Sequence, residues 1–133
     1  MIVGLDIATS SGIATLDENN IVTVWTHKGD PIELLECIKA KINPWSTVIV
    51  EKHVHFRNAK TVRSLISRLG FIEWSLRSEG HLVVDIFPGK GRKALIEKYQ
   101  LQGFTKDEYD AIILIHCYLK QMQVPFDKIV RGE

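Results

Sequence analysis

The chain has 133 residues, 17 of them Lys or Arg and 16 Asp or Glu, for a formal net charge of +1. At 15.1 kDa, with 45% hydrophobic and 25% charged residues, it reads as one globular domain over residues 1–133 and not as a disordered or fibrous chain. The balance gives no sign of a uniformly basic nucleic-acid binder, the longest apolar run (AIILI, 111–115) falls far short of the ~20 residues of a membrane span, and the isolated Cys37 and Cys117 match neither a zinc site nor a disulfide framework.

Residues 2–7 form a short apolar run that Asp6 interrupts. With no basic segment before it, this start does not read as a signal peptide, and a reducing cytoplasmic compartment is expected. The small polar residues Ala8 to Gly12 form a turn. Residues 12–16 and 21–26 are β-branched runs joined by Asp17-Glu18-Asn19-Asn20, so the opening reads as a three-stranded antiparallel meander. Asp30-Pro31-Ile32-Glu33 starts a helix, with Asp as N-cap, Pro at the first position and Glu at the third. Its apolar face is expected to hold Ile32, Leu35, Ile38 and Ile42. TVIVE, residues 47–51, is a buried-type strand ending in a carboxylate.

Residues 58–79 carry Val62, Leu65, Ile66, Leu69, Ile72 and Leu76 at helical spacing, with Gly80 suited to the position after the helix. Residues 82–87 are a further strand stopped by Pro88, residues 92–99 a short helix, and Thr105 caps a last helix running to about residue 123. The expected fold is α/β: a mixed five-stranded sheet flanked by helices. Three antiparallel strands come first, followed by two parallel strands reached through right-handed helical crossovers.

Four carboxylates stand out. Asp6 and Glu51 sit in strands that are otherwise apolar, where a charge is costly unless paired or metal-bound. In this topology their strands are neighbours, and both acids fall at the C-terminal ends where open α/β sheets bind ligands. Asp107 and Asp110 stand three apart in the last helix and share a face. Attraction to the helix macrodipole accounts equally well for Asp107 and its neighbour Glu108, but poorly for Asp110. Converging carboxylates without His or Cys suit a hard cation such as Mg²⁺, and two such ions support phosphodiester hydrolysis. The residue types therefore point to a metal-dependent phosphoryl-transfer enzyme.

The segments GLDIATSSGIATL, VIVEKHVHFRNAKTVRSLISRLG, DIFPGKGRKAL and TKDEYDAIIL, in this order, resemble the RuvC-like Holliday junction resolvases of the RNase H-like superfamily. The resemblance spans nearly the whole chain, and its brevity matches the compact phage-type versions. It implies an RNase H-like fold, with Asp6, Glu51, Asp107 and Asp110 as catalytic metal ligands for two Mg²⁺ ions, replaceable by Mn²⁺. It further implies a homodimer that nicks opposed strands of branched DNA symmetrically, with the 58–79 helix contributing to the dimer interface. Phe71 and Trp74 lie off that helix's main apolar stripe, in keeping either with a second buried face or with a wide stripe of core packing. An aromatic wedge expected soon after the catalytic Glu has its nearest match in Phe56, two places late, as the candidate for stacking at the junction. His53 and His55 flank the same segment and read as loop residues.

Between Lys52 and Lys93, nine basic residues outnumber three acidic ones, a local charge of +6 against −5 for the remainder. Lys52, Arg57, Lys60, Arg63, Lys90, Arg92 and Lys93 are the candidate phosphate contacts, while Arg68 and Arg77 read as solvated helix-face residues. Two ions on the four acids would take the formal charge to about +5, so DNA affinity is expected to depend on metal. Two other readings compete: an RNase H-like nuclease acting on RNA, as in YqgF-type relatives, and a non-catalytic nucleic-acid-binding module of the same fold. The intact set of four acids counts against the second.

Overall fold

The computed structural model describes residues 1–51, 59–86, 97, 103–120 and 128–132. A six-stranded mixed sheet runs through the centre, built from β1 (Ile2–Asp6), β2 (Ser10–Leu16), β3 (Ile21–Lys28), β4 (Thr47–Glu51), β5 (Leu82–Ile86) and β6 (Lys128–Arg131). Across the sheet the order is β5-β4-β1-β2-β3-β6. The expected antiparallel meander is present, and β4 and β5 lie parallel to β1 as the crossover rule requires. The count of five strands is corrected to six. β6 pairs parallel with β3 along the edge, and the Gly132 N–H donates to the Val24 carbonyl at 2.7 Å.

Among the described residues, three helices cover the sheet: α1 (Pro31–Lys41), α2 (Ala59–Ser78) and α3 (Lys106–Lys120). Strand alternation sends Val3 and Leu5 of β1 and Val48 and Val50 of β4 to one face, where they pack with Leu34, Leu35, Ile38, Ile72 and Leu76. Ala14, Leu16, Val22 and Val24 face the other way and meet Ala111, Ile112, Ile115 and Leu119 of α3. The result is a helix–sheet–helix sandwich with two apolar layers.

The α1 cap forms as expected: the Asp30 side chain accepts from the Glu33 N–H at 2.8 Å, with Pro31 opening the helix. α2 ends in a Schellman motif, with the Gly80 N–H on the Arg77 carbonyl and the His81 N–H on the Leu76 carbonyl. Gly80 takes φ +91°, and its missing side chain makes room for the Trp45 ring. Two expectations fail on these helices. Ile32 is 63% exposed and Ile66 52%, because each lies at the rim of its helix's apolar stripe, where the sheet no longer reaches. Arg68 is half-buried and not solvated, donating to the Gly29 carbonyl at 2.8 Å. The predicted 92–99 helix lies outside the described residues apart from Glu97, which is helical, and so does the tail of α3 beyond Lys120. No helix among the described residues is long and apolar enough to cross a membrane.

Where α2 crosses β5, two carboxyl groups meet. Glu73 is pushed up to about 7 by burial first, then by its hydrogen bond with Asp85 and the charge of that group, against a smaller opposing pull from Arg77. Between 4.5, its ordinary value, and about 7 the native state keeps a proton that the unfolded chain has released. Raising the pH through that window therefore removes stability. Glu73→Gln is expected to flatten this slope, so that urea unfolding shows the variant gaining on the wild type from pH 5 to pH 8.

Candidate active site

Asp6 and Glu51 are the last residues of β1 and β4, and both are half-buried. The parallel register pairs Leu5 with Val50, and one step further it brings Asp6 beside Glu51. Alternation decides which way these residues face. Val3, Leu5, Val48 and Val50 point into the α1–α2 layer, so Asp6 and Glu51 belong to the face that α3 covers.

α3 reaches that face because two glycines let it. A Cβ on Gly12 would overlap the Asp107 carbonyl, and one on Gly4 would overlap the Ala111 carbonyl. The helix backbone therefore rests directly on β1 and β2, running from the Asp6 end toward Gly4. Gly12 is the register partner of Asp6, which sets Asp107 at the same level of the sheet. Ile112 and Leu119 occupy the flank of α3 above β2 and β3. At about 100° per residue, Asp107 and Asp110 fall on the opposite flank, toward β1 and β4. Ser10, opening β2, donates its hydroxyl to Asp107 Oδ2 at 2.7 Å.

The backbone thus sets Asp6, Glu51 and Asp107 at one end of the sheet, with Asp110 about one turn further along α3. Their all-oxygen chemistry fits a hard divalent cation. Asp6 and Asp110 each make a polar or electrostatic contact, and among the described residues no three His, Cys, Asp or Glu side chains are grouped tightly enough to hold one metal ion. The fit is therefore one of donor type and backbone placement, with the side chains not closed around a common point. Of the basic candidates, Lys60 and Arg63 belong to the first turns of α2. Lys52, Phe56, Arg57, Lys90, Arg92 and Lys93 lie outside the described residues, as do His53 and His55.

No family model matches the chain, and no curated protein is similar to it in sequence. Solved structures are similar in fold. Thermus thermophilus RuvC in complex with a Holliday junction substrate superposes with a TM-score of 0.63 at 14% identity, covering 92% of this chain and 95% of that one. A second Thermus thermophilus RuvC structure gives 0.61 at 14% identity, covering 91% and 95%. The fold is that of RuvC.

In this RuvC fold the expected Thr105 cap of α3 forms, while sequence reasoning missed the part that Glu108 and Arg131 play in anchoring the helix. Thr105 and Glu108 form a reciprocal capping box: the Glu108 N–H donates to Thr105 Oγ1 at 3.2 Å and the Thr105 N–H to Glu108 Oε1 at 2.8 Å. The T-x-x-E spacing in TKDE was the available signal. Glu108 is 2% exposed, and Arg131 of β6 closes over it, with Nη2 2.8 Å from Oε1 and Nε 3.2 Å from Oε2. The same guanidinium donates to the Gly103 carbonyl and lies over the Phe104 ring. Glu108 is therefore a structural residue holding the helix end that carries Asp107.

Burial disfavours the Glu108 carboxylate, but the hydrogen bonds from Arg131 and Thr105 outweigh it and hold the group below its ordinary value of 4.5. Its contribution is therefore complete above that value and lost as pH falls through the lower folded one. Glu108→Gln is expected to cost about 1–2 kcal/mol at pH 7. Denaturation curves of variant and wild type should converge as the pH falls through that lower folded value.

Proposed function

We propose that this chain is a structure-selective DNA endonuclease that resolves four-way junctions by metal-dependent phosphodiester hydrolysis, acting as a homodimer. The observation that carries this reading is the backbone placement of Asp6, Glu51, Asp107 and Asp110 toward one end of a sheet with the RuvC fold. Support for the substrate comes from the similar Thermus thermophilus RuvC, which is held in complex with a Holliday junction.

In this reading the four carboxylates hold Mg²⁺, with Mn²⁺ able to replace it. Two such ions, when bound, activate a water and stabilise the leaving oxygen of a phosphodiester. The chain's own part is to present oxygen ligands at fixed positions. Asp6 and Glu51 come from paired strand ends, and Asp107 and Asp110 from a helix clamped onto those strands. Lys52, Arg57, Lys60, Arg63, Lys90, Arg92 and Lys93 bind backbone phosphates, which gives affinity without sequence information. Phe56 stacks against an unpaired base at the junction.

The decisive experiment incubates the protein with a synthetic four-way junction, a duplex, a flap and an RNA hairpin, with and without Mg²⁺. Paired symmetric nicks on the junction, only with Mg²⁺, are expected. Asp6→Asn, Glu51→Gln and Asp110→Asn should each slow cleavage by at least ~10²–10³-fold while leaving junction binding largely intact. Loss of binding and cleavage together in all three folded variants would count against direct ligation. Preferential cleavage of the hairpin would replace the reading with an RNA nuclease.

The homodimer reading is supported by the outer face of α2, where Ile66, Phe71 and Trp74 are exposed, Trp74 to 70%. Large apolar side chains clustered on one solvent face mark an interaction surface. Trp74→Glu is expected to shift the protein from dimer to monomer in sedimentation velocity with its circular dichroism unchanged. A wild-type protein that sediments as a monomer at micromolar concentration would remove this part of the proposal.

A further inference from the structure

Two adjacent hydroxyls at the start of β2 have separate tasks. Ser11 closes a local turn: its Oγ donates to the Ala8 carbonyl at 2.8 Å and accepts from the Ala8 N–H at 3.1 Å. That turn fixes the path of the chain between β1 and β2. Ser10, two residues before Gly12 and on the same side of the strand, is thereby aimed at α3. Its bond to Asp107 joins residues 97 apart in the sequence.

This bond is not needed to hold the helix. The end of α3 is already fixed by the capping box, by Arg131 on Glu108, and by the paired hydroxyls of Thr26 and Thr105 at 3.1 Å. What the Ser10 bond adds is control over the Asp107 carboxylate itself. A carboxylate only accepts, so the serine proton is committed to Oδ2, and rotation of the group about its own axis is restrained. Groups bonded to a metal-ligating carboxylate commonly set its orientation and the affinity of the site.

We propose that Ser10 is a positioning residue that orients the Asp107 carboxylate for a divalent cation and so sets the metal affinity of the site. The inference rests on the reading of Asp107 as a ligand given above. Its test uses Mn²⁺ binding to the DNA-free protein, followed by calorimetry, for wild type, Ser10→Ala, Ser10→Thr and Asp107→Asn. Melting temperature without metal is measured alongside.

Ser10→Ala is expected to weaken Mn²⁺ binding about 10–100-fold. It should raise the Mg²⁺ concentration for half-maximal junction cleavage by a similar factor, while metal-free melting, and junction binding at saturating Mg²⁺, stay close to wild type. Ser10→Thr, which keeps the hydroxyl in a residue suited to a strand, should restore both. Wild-type Mn²⁺ affinity in Ser10→Ala beside lost affinity in Asp107→Asn would overturn the role of Ser10 alone. Wild-type affinity in Asp107→Asn would overturn the ligand reading, and the Ser10 role with it. A drop in metal-free melting that Thr does not rescue would reduce Ser10 to a structural contact.

Discussion

The arrangement depends on one close approach: the backbone of α3 against β1 and β2. Gly4 and Gly12 leave no side chain between the strands and the carbonyls of Ala111 and Asp107. A helix on a sheet is normally held off by a layer of interdigitating side chains, and here that layer is absent at two points. The same glycines that permit contact also fix its register, because only they accept a backbone at that distance. Asp107 is thus locked to the level of Asp6, the partner of Gly12 in the β1–β2 ladder.

A helix placed so exactly by sterics still needs an end that does not fray. The capping box satisfies two backbone donors at the start of α3, and Arg131 neutralises the carboxylate that does so. Because Arg131 stands in β6, an edge strand joined to β3, the helix end is tied to the far side of the sheet from Glu51. Two distant parts of the chain therefore brace one helical turn. Glu73 behaves in the opposite sense: burial, and then its contact with Asp85 between α2 and β5, favour its protonated form. One carboxyl contact strengthens the fold when ionised and the other when protonated, so stability is drawn toward the range between them.

Much of this was legible from the sequence because it follows from local periodicity. The apolar runs at residues 2–7 and 47–51 marked Asp6 and Glu51 as carboxylates out of place at strand ends. The crossover rule then made their strands neighbours. What was not legible is long-range or depends on the rim of an element. KIVR at 128–131 is too short to announce a strand, and β6 exists because β3 offers it an edge and Glu108 offers Arg131 a partner. Ile32 and Ile66 fit helical spacing, but spacing cannot say where the opposing sheet stops. The Ser10–Asp107 bond has no local signal at all, since its two ends meet only after the meander and α3 have formed.

The near-neutral charge takes its meaning from this placement. The sum of +1 combines a stretch of +6 between Lys52 and Lys93 with −5 elsewhere, and Asp6, Glu51, Asp107 and Asp110 all belong to the negative part. Gathering four acids at one end of the sheet raises their mutual repulsion and, in the proposed function, opposes the approach of a phosphate backbone until cations offset it. Affinity for DNA and competence for hydrolysis would then be coupled through the same ions, although different residues serve each. Such coupling favours a protein that engages its substrate fully only when it is able to cut it.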